Sequence, residues 1–435
     1  MAQAINPLLS RRSLLRGSAM LGAVGLLPFG RGAAWGADGI EAQWPTVTAL
    51  IDKYVSARQV SGMVAALGWG NDPAGYIVRG REGFDDPDAD GPDSLFRAYS
   101  MTKPITGMAA MILVDEGRLA LDQPLADFAP EFAHMQVAVD PAKSLDARPA
   151  TQLITIRHLM THTSGLGYAV VSKDKVSEEL ARIGVNPGLV SRRRLPGITA
   201  GAPTPGGDEF LRRAAGVPLR SEPGTKWAYS MGLDVLGLVI ERVTGKPLDA
   251  FVQERIFAPA GMTNSWFRVP QQASAHLTTN YAIVAGRPFA IDQPGSSIYE
   301  APIPFAFGGS GLVTSPADYD RFLAMLVGRG MAGNRRVMSE AAVAMGTSNL
   351  LPAGADLSGT WIAGQNFGAG GVVGTGREAG LFGWSGAAGT VGYAQLRLGL
   401  RTGLFVQYMP ERKLPIAKEF PKAVGADLAR QGKGA

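Results

Sequence analysis

The chain contains no cysteine, which excludes disulfides, a thiolate nucleophile and any cysteine-ligated metal site. Histidine is almost as scarce, with four in 435 residues, at positions 134, 158, 162 and 276. Charged residues make up only 18% against 46% hydrophobic, which is the balance of a folded core and not of a disordered chain. The net charge of +5 is misleading. Arg11, Arg12, Arg16 and Arg31 lie in the first 37 residues, which hold no acid. The remaining body is near neutral and offers no electrostatic footprint for nucleic acid. Uninterrupted apolar runs are short too. The longest candidate, Gly17 to Phe29, falls below the ~20 residues of a membrane span, so no stable membrane insertion is expected.

What is abundant is glycine (57) and proline (29), and many loops and turns are therefore expected. The length suits one large or two ordinary domains. Ser10-Arg11-Arg12-Ser13-Leu14-Leu15-Arg16 followed by the moderately apolar run to Phe29 reads as a twin-arginine targeting segment over residues 1–37. It predicts an exported chain, periplasmic or secreted.

Further along, the sequence pattern predicts helices over 40–57, 100–113, 154–160, 234–244, 248–257, 315–326 and 418–430. Strands are expected over 61–69, 76–81, 367–374, 391–398 and 402–409. Residues 170–222, with Arg192-Arg193-Arg194, read as an irregular lid, and 265–308 lack periodicity. Strands thus cluster at the two chain ends. The simplest packing is an α+β arrangement, an antiparallel sheet flanked by terminal helices. The sheet lobe is drawn from 38–110 and 340–435, with a mainly helical lobe inserted over 111–339.

The chemistry centres on Tyr99-Ser100-Met101-Thr102-Lys103-Pro104. Ser100 and Lys103 are three residues apart and share a helix face. Pro104 is tolerable only near a helix start, which places the boundary there. A serine hydroxyl needs a neighbouring base to act as a nucleophile. Lysine is protonated at neutral pH, and neutralising one there costs about 4–5 kcal/mol, which desolvation beside a cation or phenol can supply. Ser-x-x-Lys alone is a common accident.

Two further segments change the odds. Pro223-Gly224-Thr225-Lys226-Trp227-Ala228-Tyr229-Ser230-Met231 runs into Leu233-Asp234-Val235-Leu236-Gly237, and His158-Leu159-Met160-Thr161-His162-Thr163-Ser164-Gly165-Leu166 precedes it. Together with Ser100-Met101-Thr102-Lys103, these resemble the serine β-lactamase-like superfamily. Within it the chain looks most like family VIII carboxylesterases, the esterase branch nearest class C β-lactamases. The resemblance covers roughly residues 45–410. It implies that Tyr229 acts with Lys103 to relay the serine proton, and that the backbone N–H groups of Ser100 and Ala387 form an oxyanion hole. Where β-lactamases and penicillin-binding proteins carry Lys-Thr-Gly, this chain has Trp384-Ser385-Gly386, as the esterases carry a Trp there. Met231 replaces the Asn of Tyr-x-Asn. Both departures remove polar contacts to a β-lactam or D-Ala-D-Ala peptide and suit an apolar acyl or alcohol group. Tyr99, Trp227, Met231, Trp384, Ser385 and Gly386 are the expected pocket residues.

Gly383-Trp384-Ser385-Gly386-Ala387 also imitates the lipase elbow, but no histidine follows Ser385, so Ser385 is rejected as nucleophile. His158 and His162, four apart, lack the intervening glutamate of a zinc motif and read as hydrogen-bonded structural residues. The expectation is a serine hydrolase acting on small-molecule carboxylic esters through an acyl-serine, with no cofactor or metal. A β-lactamase or D-Ala peptidase, an acyltransferase, and a non-catalytic binding protein on the same fold are the alternatives.

Overall fold

A computed structural model describes residues 37–193 and 202–433. The twin-arginine segment and Arg194 therefore lie outside the described residues. Residues Asp38–Ala435 make one compact unit. No helix among the described residues is long and apolar enough to cross a membrane.

After a short helix, Ala37–Gln43, the helix Pro45–Ser56 starts on a proline and buries Val47, Leu50, Ile51 and Tyr54. Its free N-terminal N–H groups are met from the far end of the chain. Asp427, in the last helix (Ile416–Arg430), accepts from Thr46 N–H and Val47 N–H at 3.0 Å. A buried carboxylate at a helix N-terminus caps and offsets the dipole at once. The two terminal helices are thereby locked side by side on one face of a seven-stranded sheet.

That sheet takes β1 (Gly62–Trp69) and β2 (Gly75–Gly80) from the start of the chain. From the end come β3 (Asn366–Phe367), β4 (Val372–Val373), β5 (Leu381–Ser385), β6 (Val391–Gln395) and β7 (Leu400–Phe405). The strand order is β3-β4-β5-β6-β7-β1-β2, antiparallel throughout. In β1, Met63, Ala65 and Leu67 face the terminal helices, while Val64 and Ala66 face the main core. Burial on both faces is why the segment reads as a continuous apolar run and not as an alternation. The helix Pro316–Val327 lies on the second face, pinned where Asp320 receives the buried Arg401 of β7 at 2.9 Å.

Between these ends, Thr102–Asp115 is apolar on nearly every side, with Thr102 through Leu113 buried. A helix of that composition has to be enclosed, and it packs between the sheet and the helix Gly232–Thr244. The lid expected over 170–222 instead carries two short helices, Lys175–Arg182 and Gly207–Ala215. Each buries only about one turn of apolar residues, too few to show a period. The featureless stretch 265–308 contains a hairpin, Asn280–Val284 with Arg287–Asp292, joined in parallel by Tyr408–Met409. The strand expected over 367–374 is broken into β3 and β4 at Gly368–Gly371, where Gly370 has φ +74°.

The short helix Ile156–Met160 carries the histidine motif. His158 closes a capping box: its N–H donates to Thr155 Oγ1, and its Nδ1 accepts from Thr155 N–H at 3.2 Å. Burial, with Arg157 adding and Asp122 opposing, lowers the ring to about 4. A free histidine titrates near 6.5. The folded value is the lower one, so this contribution to stability is fully present above about pH 6.5 and is lost as pH falls toward 4. Thermal midpoints of the wild type and of His158→Gln, measured from pH 7.5 to 5, should therefore differ. The wild type is expected to lose stability faster on acidification, and parallel curves would refute this role.

Candidate active site

The short strand Phe96–Arg97 enters a single 3₁₀ turn, Tyr99–Met101, from which the buried helix begins at Thr102. Two features hold that turn. Arg97 is wholly buried and donates through Nε to Asp292 of the hairpin at 2.8 Å. Its guanidinium also reaches Thr278 O, at 2.5 Å. Tyr99 has φ +44°, a left-handed conformation that a bulky residue adopts only under constraint. Its hydroxyl accepts from Asn280 Nδ2 at 2.9 Å, and its ring meets Tyr299 edge-on. The strained residue is thus clamped directly before Ser100.

Ser100, Lys103 and Tyr229, separated by up to 129 positions, come together here. Tyr229 Oη lies 2.7 Å from Ser100 Oγ, as donor to it. Lys103 Nζ donates to Ser100 Oγ at 3.2 Å and to Gly309 O at 2.7 Å. Lys103 is 0% exposed and Tyr229 9%. The ammonium also sits 4.6 Å from the Tyr229 ring centroid and 5.6 Å from that of Tyr168, favourable placements for a desolvated cation. Trp384 Nε1–H donates to Tyr229 Oη at 3.2 Å.

The third expected segment arrives on β5, which ends at Ser385. A side chain at Gly386 would have its Cβ 2.1 Å from Thr390 Oγ1 and 2.3 Å from Ala98 O, so only glycine brings this strand end against the turn that carries Ser100. Gly386 N–H is used by Thr390 O at 2.8 Å, whereas neither Ser100 N–H nor Ala387 N–H has an acceptor among the described residues. Ser385 and Ala387 are half-buried.

Of the other expected pocket residues, Trp227 stacks on Tyr229 at 6.2 Å and is buried. Met231 is buried at the start of the helix Gly232–Thr244. Tyr99 is buried as well, its side chain committed to Asn280 and Tyr299. These last two are anchors of the site more than open wall.

The sequence reading missed several residues. Asp234 is fully buried; its Oδ1 accepts from Gly309 N–H at 2.8 Å, while the carbonyl of Gly309 takes Lys103. One residue therefore links ammonium to carboxylate. A Cβ at Gly309 would lie 2.4 Å from Asp234 Oδ2. Burial raises Asp234 to about 6, with Lys103 and the Gly309 N–H pulling the other way. The available signal was an acid at the start of an otherwise apolar helix. Tyr168, next to Tyr229 at 5.6 Å, is lifted well above the usual phenol range by burial, with Asp234 and Tyr229 adding.

His162 holds the backbone of the tyrosine segment. Its Nδ1 accepts from Ser230 N–H at 3.2 Å and meets Ser230 Oγ at 3.0 Å, and its ring lies 4.7 Å from that of Tyr229. Burial and the nearby Lys103 hold it well below the usual imidazole range. Trp361 is the other omission. It is 64% exposed yet meets Tyr229 edge-on at 5.4 Å and Trp227 at 5.5 Å. It sits in a Gly/Pro-rich loop with no period to mark it.

The chain is similar to several known proteins. An uncharacterized Mycobacterium tuberculosis protein is 37% identical over 265 residues, 60% of this chain and 61% of its own length. Esterase EstB of Burkholderia gladioli is 37% identical over 222 residues, half of each chain. The chain thus spans about half to three-fifths of the length of these two curated relatives. Among solved structures, EstCE1, described as a hydrolase with promiscuous acyltransferase activity, superposes with a TM-score of 0.68. It is 22% identical, over 88% of this chain and 99% of its own, a likeness of fold. The Beta-lactamase family profile matches residues 47–420, and the chain belongs to that family.

Proposed function

We propose that the protein hydrolyses small carboxylic esters through an acyl-serine intermediate. One observation carries the reading: a serine hydroxyl contacted at 2.7 Å by a phenol and at 3.2 Å by an amine buried from solvent. In this reading Ser100 Oγ attacks the ester carbonyl and its proton passes to the Tyr229–Lys103 pair. The oxyanion rests on the N–H groups of Ser100 and Ala387. A missing donor of that kind typically costs about 2.7–4 kcal/mol of transition-state stabilisation. Collapse of the tetrahedral adduct expels the alkoxide, which takes the proton back and leaves as alcohol. Water then repeats the sequence on the acyl-enzyme.

The Trp384 N–H aimed at the phenol oxygen can only donate, so it fixes that oxygen beside Ser100 from a second side. The same indole occupies the place of a cationic Lys-Thr-Gly and leaves no fixed positive charge there for a substrate carboxylate. This supports neutral esters over β-lactams or D-Ala peptides. EstB, an esterase by name, supports the same choice.

Acyl transfer to an alcohol is a second reading, favoured by the exposed face of Trp361 beside Tyr229. An aromatic platform there could hold an apolar acceptor in place of water. The description of EstCE1 includes such transfer.

Ser100→Ala should lower p-nitrophenyl butyrate hydrolysis by at least about 10⁴-fold. Retained turnover in that variant would end the assignment. Tyr229→Phe is expected to cut kcat by about 10²–10⁴-fold, the range of a lost acid–base group, with little change in KM. Trp361→Ala should raise KM for aromatic or long-chain esters by about 2–10-fold, equivalent to one aromatic contact, and leave kcat in place. Equal kinetics for short and bulky esters in wild type and variant would show that Trp361 meets no substrate. Adding an alcohol acceptor and measuring ester product against free acid separates transfer from hydrolysis.

A further inference from the structure

We propose that the loop between β2 and the nucleophile strand is a divalent-cation site of calcium type, held by Glu82, Asp86 and Asp88. One carboxylate oxygen from each lies within 4.8 Å of the other two. Ca²⁺ binds oxygens at about 2.3–2.6 Å, so a single ion spans such a group.

A cluster of acids on a surface would not by itself suggest a ligand, but Glu82 is not on the surface. It is 2% exposed; its Oε1 accepts from Ser94 Oγ at 2.6 Å and lies 3.9 Å from His276 Nδ1, while its Oε2 has no hydrogen-bond partner. A buried carboxylate oxygen without a partner carries a desolvation cost that a bound cation removes. Behind it, Asp90 is 6% exposed and its Oδ1 is also unpartnered. The neighbouring cation does not serve either of them: Arg81 donates to the carbonyl oxygens of Asp86 and Pro87.

The loop is already shaped. Asp86 Oδ1 accepts from Asp88 N–H at 2.9 Å, and Glu82 N–H donates to Asp88 O at 3.1 Å. Burial, with Asp86 and Asp88 adding, pushes Glu82 up to about 7. The alternating acids at 86, 88 and 90 followed by Gly91 match the opening of a calcium loop. The twelfth position, however, is Arg97, which is engaged with Asp292, so Glu82 takes the part of the closing glutamate. An ion here would fasten the end of β2 to the segment that delivers Ser100, at a place separate from the reacting groups.

Terbium luminescence tests the site, because Tyr281 accepts from Phe84 N–H at 2.8 Å and stands beside the loop as an energy donor. Full-length protein stripped with EDTA should show tyrosine-sensitised Tb³⁺ emission. Ca²⁺ should displace the terbium with a midpoint of about 0.1–1 mM, as in weak extracellular sites, and Mg²⁺ should do so about tenfold less well. Asp88→Asn, at an exposed position, should weaken Ca²⁺ competition at least about tenfold without altering ester turnover. Glu82→Gln should do the same where its circular dichroism matches the wild type. Ca²⁺ should also raise the thermal midpoint of the wild type by a few degrees and leave Asp88→Asn unmoved. Emission and midpoint shifts equal in wild type and Asp88→Asn, or absent from both, would overturn the proposal.

Discussion

A lysine ammonium shut away from water is the constraint on which the centre of this molecule depends. Burying a charge without partners is prohibitive, and Lys103 is 0% exposed. Its surroundings answer that demand with a carbonyl from Gly309, the hydroxyl of Ser100, the ring faces of Tyr229 and Tyr168, and the carboxylate of Asp234 one peptide further out. Apart from Ser100, these contacts come from distant parts of the chain. The Ser-x-x-Lys helix is meaningful only because the Gly308-Gly309 loop, the tyrosine segment and Asp234 are brought to it. The helix is apolar nearly all round because it is enclosed, by the sheet and by the helices Gly232–Thr244 and Glu340–Gly346.

Ser100 is positioned from another side by a second buried cation. Arg97 draws Asp292 and Thr278 against the strand that precedes Ser100, and Tyr99 is held left-handed next to it. The sheet contributes through Gly386, which permits a backbone approach no side chain would allow. Arginine is suited to the first task because its planar fork satisfies several acceptors at once and stays charged when buried. Lysine is suited to the second because it can give up a proton when its surroundings favour it. The two cations, six residues apart, divide support from chemistry.

Much of this was legible in the sequence, for reasons that differ by element. Ser100 and Lys103 lie in a local motif marked by its spacing and the following proline, Tyr229 is reached through the family resemblance of its segment, and the strands at both chain ends carry strong apolar runs. The α+β sheet with its terminal helices follows from that distribution. The helices at 175–182 and 207–215 and the hairpin at 280–292 bury too few apolar residues to leave a period. Asp234, Tyr168 and Trp361 were hidden for another reason. Their importance lies in tertiary proximity to Lys103 and Tyr229, which no spacing encodes. Asp427 is the extreme case, capping a helix 380 positions away.

The replacement of a cationic strand motif by Trp384 has a consequence for charge at the site. With a lysine there, a substrate carboxylate could neutralise part of the positive charge near Ser100. With an indole, the buried Lys103 is balanced from within the protein by Asp234, and a negatively charged substrate would add an uncompensated charge to a dry site. The indole N–H is already engaged with Tyr229, so it offers a carboxylate no free donor. Aromatic surface from Trp361, Tyr168 and Trp384 surrounds the phenol instead. Such a wall rewards apolar area and is indifferent to its detailed shape. On the proposed reading, a site built this way would discriminate by charge first and by size second, and the acceptor that best displaces water from Trp361 would decide the fate of the acyl group.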